Sequence, residues 1–413
     1  METPYDIAVI GAGPAGMIAA GRAAECGARV VILEKNPAPG KKLLITGGGR
    51  CNILNAEFDV HALVAKYGKK GKALFSPFSV FGPQETWDFF IAEGLPLKVE
   101  AEKRAFPVSD DAADVRAVLT RYMTRSGVEL RTGIQVTALE KDENMIKKIV
   151  HDKGSLEARN IILTTGGMSR PETGSTGDGF TFARALGHIV SDPDPALVPI
   201  TVRNPWVKEA AGIALKDVKL TIYQGETRHE SAVGKALFTH DGMSGPLVLN
   251  MSRRIGELLK IGSVSVSLDL FPSLDPGALD QRVMAVFDAA KNKMIKNNIG
   301  ELVQPRLGHI LLGLAGVDPS VPLHQLRRED RIAFVQMLKD LRMSVTGLLG
   351  EDKAIVTGGG VDLRDVDFST MKSKKIRNLF FAGDILDFDR PSGGFSLQIC
   401  WSTGYVAGTS AAS

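Results

Sequence analysis

Six residues near the start of the chain, Gly11-Ala12-Gly13-Pro14-Ala15-Gly16, restrict the possible folds more than any other feature. They follow an apolar run, Ile7 to Ile10, and open a stretch of small and apolar residues at helical spacing, Met17 to Ala24, that ends at Gly27. A second apolar run, Arg29 to Leu33, comes next, completing a strand, helix, strand unit of about 30 residues. In such a Gly-x-Gly-x-x-Gly turn the first glycine makes the tight turn and the second admits a pyrophosphate. The third lets helix and strand pack closely, and the helix N-terminus faces the phosphates with its partial positive charge. Glu34, at the end of the second strand, is placed to accept from ribose hydroxyls. The rival glycine motif, a Walker loop, fails: Lys42 stands where Ser or Thr should follow Gly40-Lys41, and the upstream glycine is missing. The unit therefore predicts a Rossmann-like α/β domain holding a dinucleotide.

The far end of the chain indicates which dinucleotide. Leu379-Phe380-Phe381-Ala382-Gly383-Asp384 reads as an apolar strand delivering a carboxylate at its carboxyl end, where open α/β sheets bind ligands. An acid so placed suits the ribityl chain of FAD, against the alternative of a turn or cap residue. Gly393-Gly394 would then bring a helix N-terminus to the flavin's pyrimidine edge, where its dipole favours negative charge.

With 413 residues the chain exceeds one hydrophobic core. Asp114 to Arg125 reads as an amphipathic helix, followed by strands at Val128 to Arg131, Ile134 to Glu140 and Lys147 to His151. An Asp152-Lys153-Gly154 turn leads to Leu156 to Arg159, and Ile161 to Thr165 is a buried strand. After Asp192-Pro193-Asp194-Pro195 the texture changes: Pro199 to Leu270 alternates short strands and turns, and Asp275 to Arg342 looks helical. Strand and glycine turn return at Ala354 to Gly360. The expected architecture is α/β, a Rossmann-like FAD-binding domain of the two-dinucleotide-binding-fold type (1–193 and 344–413), interrupted by an insert. The insert, 194–343, is barrel-like and β-rich over 194–272 and helical over 273–343.

Fifty basic against 47 acidic residues, net +3, is too balanced for an electrostatic nucleic-acid footprint, which argues against nucleic acid as partner. Three cysteines, Cys26, Cys51 and Cys400, show neither a CxxC pair nor zinc spacing and fit a reducing compartment. The expected location is cytoplasmic, because Met1-Glu2 leads straight into a strand and no apolar stretch suggests a membrane span. His61, His151, His188, His229, His309 and His324 show no metal spacing, so no metal is expected.

Lys41-Lys42-Leu43-Leu44-Ile45-Thr46-Gly47-Gly48-Gly49-Arg50-Cys51-Asn52 resembles the signature of the aminoacetone-oxidase and BaiN-like family of FAD-binding flavoproteins. Matches continue through Thr173 to Gly179, Pro195 to Pro199, Leu237 to His240 with Ser244-Gly245-Pro246, and Val356 to Val361. The resemblance implies non-covalent FAD in a domain interrupted by a barrel-like substrate domain. It implies a cofactor lining of Gly11, Gly13, Pro14, Ala15, Gly16, Glu34 and Lys35, then Lys42, Gly48, Arg50, Cys51 and Asn52. Val136, Thr165, Gly166, Gly167 and Gly177 would join them, with Gly383, Asp384, Gly394, Phe395 and Ser396 from the far end. The chain departs from the family where Gly-Gly-Tyr-Asn becomes Gly393-Gly394-Phe395-Ser396, where a glycine becomes Arg390, and where Glu becomes Asp384.

Flavin carries the redox chemistry, leaving the protein to orient, tune and exclude water. Arg50, His240 and Arg390 are the candidate catalytic side chains: Arg50 to tune the flavin or hold an anion, His240 to move protons near neutral pH. Arg390 adds a guanidinium near the flavin. Their structural alternatives are a phosphate or backbone contact for Arg50 and a strand-end hydrogen bond for His240. The expected reaction is NADH- or NADPH-linked reduction of an unsaturated or carbonyl-conjugated small molecule. Alternatives are an oxygen-using oxidase of a small amine such as aminoacetone, a flavin-dependent tRNA-modifying protein and a noncatalytic flavin carrier. Without a second Gly-x-Gly-x-x-Gly, nicotinamide would dock transiently. Oligomeric state is not legible.

Overall fold

The computed structural model describes residues 5–349 and 356–413. The chain divides into two compact units, 1–195 with 355–413, and 196–354. Each has its own apolar core.

The first unit is built on a seven-stranded sheet. Its centre is β1 (Tyr5–Ile10), flanked in parallel by β2 (Val30–Glu34) and by Ala158–Leu163. Glu129–Thr132 extends one side in parallel, and Leu379–Phe381 extends the other. Val366–Asp367 and Lys372–Ser373 finish that edge antiparallel. Val30 to Glu34 are all buried, as the near-continuous apolar run of an internal parallel strand requires. Met145–His151 pairs with Val136–Asp142 and Gly154–Leu156 in a separate three-stranded sheet. The stretch expected as one strand, Leu156 to Arg159, is therefore split: Leu156 ends a hairpin while Ala158 starts a strand of the main sheet.

Helix α1 (Pro14–Glu25) starts with proline at its first turn, where the missing N–H costs nothing. It packs on α2 (Phe395–Ala412), most of which is buried. A Cβ added at Gly404 would come 2.5 Å from Ala15 O, and one at Gly408 2.4 Å from Ala19 O. Two glycines one turn apart thus bring the helix backbones together and fix where α1 begins.

The second unit is a closed six-stranded barrel with Ile200–Val202, Gly242–Ser244, Thr227–Phe238, Ala214–Gln224, Val264–Asp269 and Leu341–Leu348 in order around it. Two sequence expectations need correction. Pro246–Leu259 lies in the strand-rich stretch yet is a helix, burying Leu247, Val248, Met251, Ile255 and Leu258 along one face. The helical stretch ends at Lys339, and Leu341–Leu348 closes the barrel with strict inside-outside alternation over its first six residues. Of the expected strand Ala354 to Gly360, Ala354 and Ile355 lie outside the described residues, as do Met1 and Glu2, and the strand runs Val356–Val361.

Candidate functional site

A cleft opens in the first unit at the carboxyl ends of its central strands, where open α/β sheets bind ligands. Gly11, Gly13, Pro14 and Ala15 line it at the start of α1. Gly11 has φ +103°, and a Cβ there would lie 2.8 Å from Thr164 O. Gly16 has even less room, its Cβ position being 2.0 Å from Gly11 O, whereas nothing lies within 4 Å of the Cβ position on Gly13. These are the three glycine roles expected of the fingerprint: turn, open approach for the phosphates, and close packing.

Beyond the helix start, the cleft reaches Glu34, Lys35 and Asn36 at the end of β2. Glu34 Oε2 accepts from Ala12 N at 2.8 Å, and Oε1 accepts from Asn36 N at 2.8 Å and Asn36 Nδ2 at 2.6 Å. Three donors fix the carboxylate's orientation in a position suited to ribose hydroxyls. Ile134, Val136 and Phe182 supply an apolar wall.

At the opposite end stand Asp384, Lys42 and Cys400. Asp384 stands on a single turn, Gly383–Ile385, just past the carboxyl end of the strand Leu379–Phe381. Gly383, at φ +80°, would place a Cβ 2.7 Å from that of Ala15, so glycine lets this turn sit against the start of α1. Lys42 Nζ lies 3.8 Å from Asp384 Oδ2 and donates to Ser169 Oγ at 2.8 Å. Arg390 is fully buried in its side chain; Nη2 donates to Leu386 O at 2.6 Å, and Nε lies 3.5 Å from Asp384 Oδ1. Asp384 Oδ1 is buried and accepts no hydrogen bond from the described residues, and the same holds for Thr165 Oγ1. A carboxylate held between Lys42 and Arg390, with one buried oxygen that accepts no hydrogen bond from the described residues, has the acceptor chemistry that the ribityl hydroxyls of FAD need. With the glycine turn and the Glu34 carboxylate, the chemistry of the lining fits the adenosine ribose, pyrophosphate and ribityl portions of FAD.

Several expected lining residues do something else. Arg50 lies outside the cleft lining, and its guanidinium is fully engaged. Nε donates to Asp110 Oδ1 at 2.9 Å, Nη1 to Glu100 Oε2 at 3.3 Å, and Nη2 to both carboxylates. It also lies over the Phe106 ring, 4.1 Å from the centroid. The two carboxylates raise its pKa further, so it is a fixed cation anchoring the glycine loop to Glu100 and Asp110. Cys51 is fully buried at φ +60°, and burial pushes its thiol up to about 12. Asn52, with its amide oriented to satisfy its neighbours, donates to Leu54 O and Ala105 O at 3.1 Å and accepts from Gly394 N at 3.0 Å. It thus ties the glycine loop to the start of α2.

Gly394 itself has φ +95°, with a Cβ position 2.4 Å from the Leu54 carbonyl carbon. Phe395 is buried edge-on to Tyr67, whose hydroxyl donates to Phe395 O at 2.9 Å. None of Gly48, Gly167, Gly177, Gly383, Gly394, Phe395 or Ser396 is part of the cleft lining. His240 belongs to the second unit, exposed between Thr227–Phe238 and Gly242–Ser244.

The sequence reading missed Asn36, Lys41, Thr164, Thr173, Gly174, Ser175, Asp178 and Phe182 as lining residues. The Thr173 to Gly179 motif marked most of the loop. Nothing in a lone Asn36 or Phe182 signals a ligand. Among the described residues no group of three or more His, Cys, Asp or Glu could hold a metal, and no helix is long and apolar enough to cross a membrane.

The model of the family described as HI0933-like protein Rossmann domain matches residues 5–410. A 3-dehydro-bile acid delta(4,6)-reductase of Clostridium scindens is 31% identical over 98% of both chains. A ribosomal RNA dihydrouridine synthase of Escherichia coli is 30% identical over 97% of this chain and 96% of its own length. Among solved structures, a 3-ketosteroid-delta4-(5alpha)-dehydrogenase of Rhodococcus jostii superposes with a TM-score of 0.56 at 16% identity, covering 100% of this chain and 97% of its own. That last likeness concerns the fold.

Proposed function

The chain belongs to the HI0933-like Rossmann family and is an FAD-dependent oxidoreductase, and from that premise we propose that it reduces a carbon–carbon double bond conjugated to a carbonyl, with NADH or NADPH as electron source. The observation that carries the reading is a shared chemistry in the names of two full-length relatives. A delta(4,6)-reductase of a 3-dehydro-bile acid removes unsaturation in line with a ring ketone, and making dihydrouridine removes a double bond conjugated to a ring carbonyl. A carbonyl at that position lets the far carbon accept hydride while the near carbon takes a proton.

Bound FAD supplies the two-electron relay between the nicotinamide and the double bond. Residues of the chain hold it for that task. The N-terminus of α1 would receive the pyrophosphate, Glu34 the adenosine ribose, and Asp384 the ribityl hydroxyls, with Lys42 and Arg390 aiming that carboxylate. Arg390 acts through Asp384 as a positioning residue. Arg50 keeps the glycine loop in place through Glu100 and Asp110.

The test of the reading is anaerobic mixing of the yellow protein with NADH or NADPH in a stopped-flow instrument. Rapid bleaching is expected, and a flavin that neither nicotinamide bleaches contradicts the proposal. A second reading, uridine in ribosomal RNA as the substrate, is favoured by relatives of that name in Escherichia coli and Haemophilus influenzae. It requires salt-dependent retention of ribosomal RNA, which a small-molecule reductase lacks.

A further inference from the structure

We propose that residues 172–178 form a strap over the adenosine half of the cofactor cleft, and that this strap makes the site selective for FAD over FMN. The proposal rests on FAD binding in the cleft and is independent of the reaction proposed above.

Three residues after β2, Lys35, Asn36 and Lys41, reach across to this segment, and a fourth, Lys42, reaches the chain just before it. Lys35 Nζ donates to Thr176 Oγ1 at 2.5 Å and to Asp178 Oδ2 at 2.7 Å. Asn36 Nδ2 donates to Thr173 O at 3.0 Å, Lys41 Nζ to Glu172 O at 2.6 Å, and Lys42 Nζ to Ser169 Oγ at 2.8 Å. The tethers follow the same order on both segments, running opposite ways, so they lace one against the other. The contact is close: a Cβ on Gly174, at φ +100°, would lie 2.5 Å from Asn36 Nδ2. Arg170 also adopts φ +58° without being glycine, a conformation that its surroundings must hold.

The laced segment is also a wall of the cleft, through Thr173, Gly174, Ser175 and Asp178. The facing walls are the end of β2, with Glu34, and the apolar surface of Val136 and Phe182, both buried. Sheet and helix cannot part without losing core contacts. The strap can, because its tethers are few and partly wet: the side chains of Lys35 and Asp178 are 24% and 30% exposed. Glu34 and the start of α1 place the adenosine half of a dinucleotide on the strap's side. FMN ends at its single phosphate and has nothing to lie beneath the strap. FAD would have its adenosine enclosed, so its release requires the tethers to open.

The experiment compares the parent protein with Lys35→Met, which keeps the aliphatic stem, and Asp178→Asn, which keeps the shape. FAD release from each holoprotein is followed by the recovery of free-flavin fluorescence after dilution. FAD and FMN are also titrated into flavin-stripped protein. Both variants should release FAD about tenfold faster, the effect of losing one or two hydrogen bonds to a charged group, with FMN affinity within about twofold of the parent. Added salt should speed release from the parent and not from the variants. Release rates equal to the parent's overturn the strap, and so does an FMN affinity that falls in step with that of FAD.

Discussion

Cys51 and Cys400 are buried, and burial raises both thiols far above the range in which a thiolate forms at neutral pH, whereas Cys26 is exposed. A disulfide-exchange reagent should therefore label one thiol rapidly in the folded protein, at Cys26, with the other two reacting only on unfolding; peptide mapping checks it. Asp384→Ala removes the acceptor between Lys42 and Arg390 and leaves two cations facing each other. FAD affinity should fall by about 10- to 100-fold, as expected for a hydrogen bond to a charged group, measurable by fluorescence titration. His188 is buried between Ala183 O and Ser373 Oγ, and burial pushes its pKa below 6.5. The unfolded chain takes up that proton near 6.5 and the folded one at lower pH. This contribution to stability is complete above pH 6.5 and declines as the pH falls from there toward the folded value. The melting temperature should thus drop more steeply below pH 6.5 in the parent than in His188→Gln. At this scale the fingerprint residues were legible because their spacing encodes their roles. Arg50 was not: Glu100 and Asp110 lie 50 and 60 residues away, and no local pattern pairs them.

The first strand, α1 and β2 were legible as elements because period and punctuation agree along the chain. Pro246–Leu259 was hidden by its strand-rich neighbours, although its first-turn proline and its apolar face are both visible once sought. The strand Leu341–Leu348 follows a helix with only Asp340 between them, and neither glycine nor proline marks the change. Contact between α1 and α2 could not be read from sequence, since Gly404 and Gly408 gain meaning only opposite Ala15 and Ala19. Gly404→Val would push the helices apart, which should cost about 1–3 kcal/mol. Because α1 also starts the phosphate site, FAD binding should weaken with it; Gly313→Val, at a position with nothing within 4 Å, should leave FAD binding unchanged.

Two cores in one chain predict two unfolding steps, and FAD should raise the temperature of one of them, that of the unit holding the cleft. Calorimetry with and without added FAD checks this; a single transition shifted as a whole contradicts it. The return of the chain to its first sheet was legible because Leu379 to Asp384 repeats the strand-then-glycine-turn logic of the N-terminal unit. The barrel's closure was not, as it depends on a last strand that follows three helices. The proposed reaction is tested most directly by reducing the bound flavin under nitrogen, mixing it with a conjugated cyclic enone, and following the flavin's absorbance alongside the organic product. Return of the oxidised spectrum, with one equivalent of product lacking one double bond, is the predicted result. A reduced flavin that stays bleached in the presence of enone and uridine alike, and recovers its colour only when oxygen is admitted, would contradict it.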